Sequence, residues 1–365
     1  FFMDRSTSEL IRALRLIMVM GLVMVHFGNF PGDELSPFSG VVNPTYFSSA
    51  SVNSFFTYFF LSAVPVLSMI SGYLFCYQGK PNFTKTFRRK FSTLIFPAFT
   101  WTSFWFLFAF ILFLVSDLSS KINFYQDVFN DLSILDIFNG IIGITHSPLA
   151  IQFWFIHDLA LSILLTPLLY PLINRFSAYP LIVLLVLWLM EWQPPVFFNL
   201  KVLSFFMVGL YFAIKGIRFT LPNANSWWNI SIPVCVALVF IRIYLPAFNN
   251  GTMPYETLIE LLLRITGSIG IIMLTLKLRL YLPKVYTWCV NHSGYAFFLH
   301  AAHYPLVIYV KKALHMTGLF QGAAGQIALW AFTLLFTISI IIMLAESINK
   351  YIPSMYRFLN GQRSI

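Results

Sequence analysis

The chain has few charged residues, because Asp, Glu, Lys and Arg together make up 10% of its 365 residues. Soluble domains carry about 25% charged residues, so this composition excludes an ordinary soluble protein and indicates an integral membrane protein. Cysteine is also scarce. The three cysteines lie far apart and form no C-x-x-C pair, so we expect buried thiols and no disulfide.

Several catalytic and transport motifs are missing from the sequence. It contains no His-x-x-x-Asp, no Walker lysine loop, no G-x-S-x-G and no His-Glu-x-x-His. ATP-driven transport and serine-hydrolase chemistry therefore have no support. Because no carboxylate ligand lies near the histidine pair His300 and His303, we expect no metal site.

Apolar runs of about 20 residues recur along the chain and are typical of transmembrane helices. They predict an all-α, polytopic integral membrane bundle of about ten helices in one domain, residues 1–365, with no appended soluble domain. The expected spans are 10–30, 53–77, 92–115, 152–173, 179–191, 200–214, 229–245, 255–276, 289–310 and 325–346.

The basic residues account for the net charge of +10 and predict the orientation. With the amino terminus in the cytoplasm, only Lys121, Lys311 and Lys312 fall on the outer side, as the positive-inside rule requires. Both termini are then cytoplasmic, and two long outer loops, about 31–52 and 116–151, could cover a site that faces the outer compartment. Orientation explains the charge better than nucleic acid does, so no nucleic-acid partner is expected.

Arg15 and His26 are two ionisable residues within the first apolar segment, LRLIMVMGLVMVHF. Eleven residues of α-helix turn about 1,100°, within roughly 20° of three full turns, and rise about 16 Å. Both side chains therefore share one helix face at two depths of a bilayer, where ionisable residues indicate function. Taken singly, Arg15 is equally well explained as a lipid-headgroup anchor, and His26 is better explained as a packing histidine.

The basic run KTFRRK before the third span is the second candidate cluster. Its first role is orientation, but Lys85, Arg88 and Arg89 near Arg15 would also suit a phosphate-bearing ligand, since arginine binds phosphate in a bidentate manner.

These segments together resemble the acyltransferase-3 family of bacterial membrane acyltransferases. The similarity comprises Arg15-x10-His26, Ser71-Gly72-Tyr73 ending the second span, the basic run before Pro97, Phe153-Trp154-Phe155, and the late segment from Ser293 through His300 to His303-Tyr304-Pro305. Lys85-x-x-Arg88 departs from the family's Arg-x-x-Arg by its lysine. Spans one to four and nine carry the resemblance.

The resemblance implies an O-acyltransferase of the bacterial cytoplasmic membrane. It would move an acyl group, acetyl in the first instance, from cytoplasmic acyl-CoA to a hydroxyl of a surface polysaccharide or lipid-linked glycan. Arg15 and His26 match the motif's catalytic pair, and Arg15, Lys85, Arg88, Arg89 and Tyr73 would bind acyl-CoA. His26 would act as general base, with an acyl-histidine intermediate as the open alternative.

Three further residues are candidates for acceptor binding. Trp154 could stack on a sugar or belong to an interfacial belt, His300 could face a polar cavity, and Arg264 could bind an anionic sugar. Arg264 more simply pairs with Glu260 one helical turn away, and His157-Asp158 reads best as a pair that orients a helix.

A second function remains open from the sequence: export of a glycan or lipid-linked intermediate. Transporters often carry paired broken helices in two repeats, and only the break at Pro194-Pro195 is visible here. A structural or sensory subunit would leave Arg15 and His26 unexplained. Contacts with membrane lipids are expected, and a homo-oligomer or glycan-synthesis partners remain open.

Overall fold

The computed structural model describes residues 4–33, 35–41, 47–77, 79–115, 129, 133–219, 228–249 and 255–363. Every regular element in these ranges is helical. The first half contains α1 Arg5–Val25, α2 Phe47–Phe59, α3 Ala63–Cys76, α4 Phe83–Lys90, α5 Phe96–Leu114, α6 Ile134–Ile141, α7 Trp154–Leu164, α8 Thr166–Phe176 and α9 Tyr179–Leu189.

The second half continues the helical pattern. It contains α10 Leu200–Ile214, α11 Ser231–Phe248, α12 Glu256–Tyr281, α13 Pro283–Asn291, α14 Ala296–Met316, α15 Gly322–Tyr351 and α16 Pro353–Leu359. The all-α prediction is therefore confirmed for the described residues. Large parts of the predicted outer loops, including Lys121, lie outside them.

Within the described residues, five helical stretches are long and apolar enough to cross a membrane, and α7 with α8 makes a sixth if that pair, bent by 64°, counts as one span. They are Phe47–Cys76, Phe83–Leu114, Ser231–Phe248, Glu256–Tyr281 and Gly322–Tyr351. The protein is thus a multi-pass membrane protein, but ten spans are not confirmed. The cytoplasmic location of both termini stays a prediction.

Two of the predicted spans are not among these stretches for physical reasons. At 1.5 Å per residue, the 11-residue helix α9 reaches only about half of a hydrocarbon core roughly 30 Å thick. Helix α1 is long enough but carries Arg5, Glu9, Arg12 and Arg15 along its length. It is buried by protein instead, since it packs against α2, α3, α12, α13 and α14.

Helix α1 begins where Asp4 accepts a hydrogen bond from the Thr7 backbone N–H at 2.8 Å. That bond and a second one from the Thr7 hydroxyl lower the pKa of Asp4, and the anion suits the positive end of the helix dipole. The helix then buries Leu10, Leu14 and Val23 completely. Its position at the centre of the bundle makes it the scaffold of the site.

Glycines allow α3 and α10 to touch backbone to backbone. A Cβ at Gly72 would lie 2.0 Å from the Phe206 carbonyl oxygen, and one at Gly209 would lie 2.0 Å from the Met69 carbonyl oxygen. Small residues at such crossings let membrane helices approach closely. The three cysteines, Cys76, Cys235 and Cys289, are buried free thiols, as expected.

Candidate functional site

One face of α1 lines two cavities. Arg15 and Val19 contribute to the first, which we call the Arg15 cavity. Leu22 and His26 contribute to the second, which we call the His26 cavity. The positions 15, 19, 22 and 26 follow the helical repeat, so the prediction that Arg15 and His26 share a face is confirmed.

The Arg15 cavity has a volume of about 130 Å³ and three cations in its wall: Arg15, Lys90 and Arg363. None of its lining residues is an aspartate or a glutamate. Among the described residues, none of these three cations takes part in an ion pair within 4.0 Å. Three neighbouring positive charges without a carboxylate create a strong preference for an anionic ligand.

Arg363 comes from the segment that follows α16. Its Nη1 donates to the Asn360 carbonyl oxygen at 2.9 Å, and its guanidinium lies 4.6 Å from the centre of the Phe297 ring. Burial and the nearby Arg15 charge lower the pKa of Arg363 to about 10. Arg363 is therefore still a cation at neutral pH.

The remaining wall of the Arg15 cavity is mostly apolar. Leu67, Ile70, Phe155 and Leu159 line it, and His300 from α14 reaches it as well. His300 is buried between the edges of the Phe153 and Phe155 rings, at 5.9 and 6.2 Å between ring centres. Its Nε2 has no hydrogen-bond partner among the described residues.

The His26 cavity is larger, about 470 Å³, and its charges are paired. Arg242 bonds to Glu256, and Arg264 bonds to Glu260 through Nη2 at 2.7 Å. Lys201, which does not line this cavity, bonds to the other oxygen of Glu260 at 2.7 Å. The predicted Glu260–Arg264 pair is thus confirmed, and it forms part of a larger network.

Arg264 also replaces a backbone hydrogen bond that is missing at the start of α3. Pro65 has no N–H and so cannot bond to the Leu61 carbonyl oxygen four residues earlier. Nη1 of Arg264 donates to that oxygen at 3.0 Å. With Nε and Nη2 on Glu260, most of the guanidinium is engaged by the protein.

His26 is hydrogen-bonded to His303 of α14, with 2.7 Å between Nδ1 of His26 and Nε2 of His303. Nδ1 of His303 lies 3.1 Å from the Leu299 carbonyl oxygen and 2.8 Å from that of His300. Carbonyl oxygens only accept, so Nδ1 of His303 carries the proton and its Nε2 accepts one from Nδ1 of His26. This leaves the lone pair of His26 on Nε2.

Side chains from other helices satisfy the carbonyl oxygen that a break in α14, next to His303, leaves without its helical hydrogen bond. Pro305 cannot bond to the Ala301 carbonyl oxygen, and that oxygen instead accepts from Trp105 Nε1 at 3.0 Å and from Gln152 Nε2 at 3.1 Å. Gln152 also bonds the Tyr304 carbonyl oxygen at 2.7 Å. The turn carrying His300 and His303 is therefore fixed on both sides.

Lys311 fixes the segment that follows His26. Its Nζ donates to the carbonyl oxygens of Phe27 at 2.7 Å and of Asn29 at 2.6 Å, and it lies 4.6 Å from the Phe27 ring centre. The end of α1 is thereby tied to α14.

The two cavities are separated by about one helical turn. The Arg15 cavity is lined by Val19 of α1, Leu67 of α3 and Phe155 of α7. The His26 cavity is lined by Leu22, Val64 and Trp154 of the same three helices. Three residues of helix rise about 4.5 Å. Neighbouring residues of the same three helices thus line both cavities.

The structure assembles some of the predicted site residues and leaves others apart. Trp154 and Arg264 line the His26 cavity, and His300 lines the Arg15 cavity. Lys85, Arg88 and Arg89 are exposed on α4, whose next residue, Lys90, enters the wall. Tyr73 packs against Tyr77 and Phe219, at 5.4 Å to each ring centre, and is not among the residues lining the Arg15 cavity.

His157-Asp158 orients helices, as predicted. The two side chains are 3.0 Å apart, and the other oxygen of Asp158 accepts from the Asn199 backbone N–H at 3.1 Å. The pair links α7 to the start of α10.

Comparisons with known proteins agree with this picture. A family model described as an acyltransferase domain, that of the acyltransferase-3 family, matches residues 9–346. The succinoglycan biosynthesis protein ExoH of Rhizobium meliloti (strain 1021) is 25% identical over 372 residues, covering 99% of this chain and 94% of that protein. No solved structure matches the chain.

Proposed function

Because the chain belongs to the acyltransferase-3 family, we propose that it transfers an acyl group from cytoplasmic acyl-CoA to a hydroxyl of a cell-surface polysaccharide or lipid-linked glycan. The donor would bind at the Arg15 cavity and the acceptor at the His26 cavity. The observation that carries this proposal is the single face of α1, which brings an unpaired arginine to one cavity and a histidine to the other. The similarity to a succinoglycan biosynthesis protein supports a polysaccharide acceptor.

The charge of the Arg15 cavity supports acyl-CoA as the donor. Arg15, Lys90 and Arg363 would hold its phosphates, since charge-assisted bonds from arginine to phosphate are strong and directional. A volume of about 130 Å³ with apolar walls suits the slim pantetheine arm better than the nucleotide. The nucleotide would stay at the exposed Lys85, Arg88 and Arg89. Acetyl is the acyl group to test first.

The tautomer of His26 supports its role as general base. Its Nε2 carries the lone pair and would take the proton of the acceptor hydroxyl while that oxygen attacks the thioester carbonyl. The carbon–sulfur bond then breaks, and the proton passes from His26 to the departing CoA thiolate. His303, whose Nε2 accepts from His26, would hold the ring and stabilise the imidazolium.

Replacing His26 tests the proposal directly. We expect His26→Ala to lower acyl transfer from radiolabelled acetyl-CoA by about 10²–10⁴-fold, the usual contribution of a general base. Purified protein in liposomes, with polysaccharide from a deletion strain as acceptor, would be assayed. His315→Ala, at an exposed histidine ending α14, is the matched control. Full acylation by His26→Ala at normal expression would remove His26 from the mechanism.

Glycan export is the second candidate, and the 64° bend between α7 and α8 favours it, because transporters bind substrates at broken helices. The same liposomes separate the two functions. Labelled acyl groups that leave acetyl-CoA for the glycan support the enzyme, whereas unmodified glycan that crosses the bilayer supports export.

A further inference from the structure

A third cavity, which we call the Trp188 cavity, adjoins the His26 cavity. It measures about 440 Å³ and shares two of its walls, Glu256 and Glu260, with the His26 cavity. A ligand bound in one cavity therefore borders the other across the same two carboxylates. Nothing in the acyl-transfer chemistry itself requires this second space.

The lining of the Trp188 cavity combines aromatic and hydrogen-bonding side chains. Trp192 stands at its rim with 49% of its surface exposed, while Trp188 is 4% exposed in its wall. Gln193, Lys201 and Thr257 add polar groups. The Lys201 Nζ lies 5.9 Å from the Trp188 ring centre, so the exposed indole here is that of Trp192. An exposed indole with a few polar groups around it suits a sugar ring, which has an apolar face and a rim of hydroxyls.

The segment that forms the rim is braced rather than loose. The Phe197 backbone N–H donates to the Ile144 carbonyl oxygen at 3.0 Å, and that of Asn199 donates to Asp158 at 3.1 Å. The Thr257 hydroxyl bonds to Glu191 across the opening. A preformed cavity costs less ordering when a ligand binds.

From these contacts we infer that the Trp188 cavity is a second glycosyl subsite, which binds the sugar unit next to the one that is acylated. The inference rests on the proposed function for the identity of the acylated sugar. It deepens that function, because it makes the acceptor an oligosaccharide or polymer of at least two units rather than a single sugar.

The length of the acceptor provides the test. Polysaccharide from a strain lacking the gene would be freed of acyl groups by base and cut into sized fragments. With the wild-type protein, kcat/KM for acyl transfer should rise about tenfold from one sugar unit to two or more. Trp192→Ala should abolish this rise and leave the single-unit rate unchanged, and Trp192→Phe should restore much of it.

Trp288→Ala is the matched control, since Trp288 is 41% exposed but belongs to α13 and lines none of the three cavities. It should keep the dependence on length. A wild-type rate that is equal for all fragments, or a Trp192→Ala rate that falls equally for one unit and for several, would overturn the inference.

Calorimetry without acetyl-CoA separates this inference from the proposed function. If longer fragments bind about tenfold more tightly than one unit, and Trp192→Ala removes the gain, the subsite stands even where no acyl transfer occurs. If acyl transfer occurs but binding of fragments is independent of their length, the subsite fails and the acyltransferase remains.

Discussion

The Arg15 and His26 cavities both contain arginines, yet they use them in opposite ways. In the His26 cavity Arg242 and Arg264 are each bonded to a glutamate. In the Arg15 cavity Arg15, Lys90 and Arg363 have no carboxylate beside them. Paired arginines shape and stiffen a polar wall, whereas cations without a carboxylate partner are available to bind an anionic ligand. An arginine in a membrane site therefore indicates anion binding only where no carboxylate of the protein is bonded to it.

The largest expected effect comes from breaking the paired network. Glu260→Gln leaves Arg264 and Lys201 without their shared carboxylate in a largely buried position. We expect a loss of about 3–5 kcal/mol in the free energy of unfolding, as for other broken buried ion pairs. Thermal unfolding in detergent would measure it.

Glu9→Gln is the control for that change, because it breaks the pair with Arg5, whose side chain is 93% exposed. It should leave thermal unfolding unchanged. Equal stability of both variants would show that the Glu260 network does not hold the His26 cavity together.

The next effect concerns the unpaired cations. Arg15→Ala and Arg363→Ala should each raise the KM for acetyl-CoA by about 10- to 100-fold, the loss of a charge-assisted bond to phosphate, with little change in the KM for the acceptor. Steady-state kinetics would measure both constants. Arg175→Ala, at an exposed position of α8, is the control. An unchanged KM for acetyl-CoA in Arg363→Ala would remove Arg363 from donor binding.

A smaller effect is expected at His303, which positions His26. His303→Ala should lower kcat about tenfold without changing the KM for acetyl-CoA, because His26 loses the acceptor that sets its tautomer. His303→Gln keeps an acceptor oxygen and should recover most of kcat. If kcat of His303→Gln is no higher than that of His303→Ala, or if kcat and the KM for acetyl-CoA change together, His303 has a packing role only.

Salt should produce the smallest difference. Raising the ionic strength from about 0.05 M to about 0.5 M shortens the Debye length to roughly 4 Å and weakens the attraction between the cations of the Arg15 cavity and an approaching anionic donor. The KM for acetyl-CoA should rise about threefold while the KM for the acceptor stays constant. An equal rise in both would mean that the two cavities do not differ in accessible charge.

Local spacing was enough to predict several of these features. The eleven-residue offset placed Arg15 and His26 on one face, and the four-residue offset of Glu260 and Arg264 predicted their ion pair. Both follow from helix geometry, because α12 is a regular helix and α1 is regular up to Val25, with His26 as the residue that caps its end.

Partners from distant segments could not be predicted in this way. His303 follows His26 by 277 positions, and Arg363 reaches the Arg15 cavity from the last segment of the chain. Only tertiary packing brings them together. Lys90 belonged to the basic run noted in the sequence, but the way α4 packs against the rest of the bundle decides which cation of the run enters the wall.

The three helices that the two cavities share have one more consequence. Because neighbouring residues of α1, α3 and α7 line both cavities, a bulkier or smaller side chain there reshapes both cavities at once. Specificity for the acyl group and specificity for its acceptor then cannot change independently during evolution. Homologues that change one are expected to show compensating substitutions in the other.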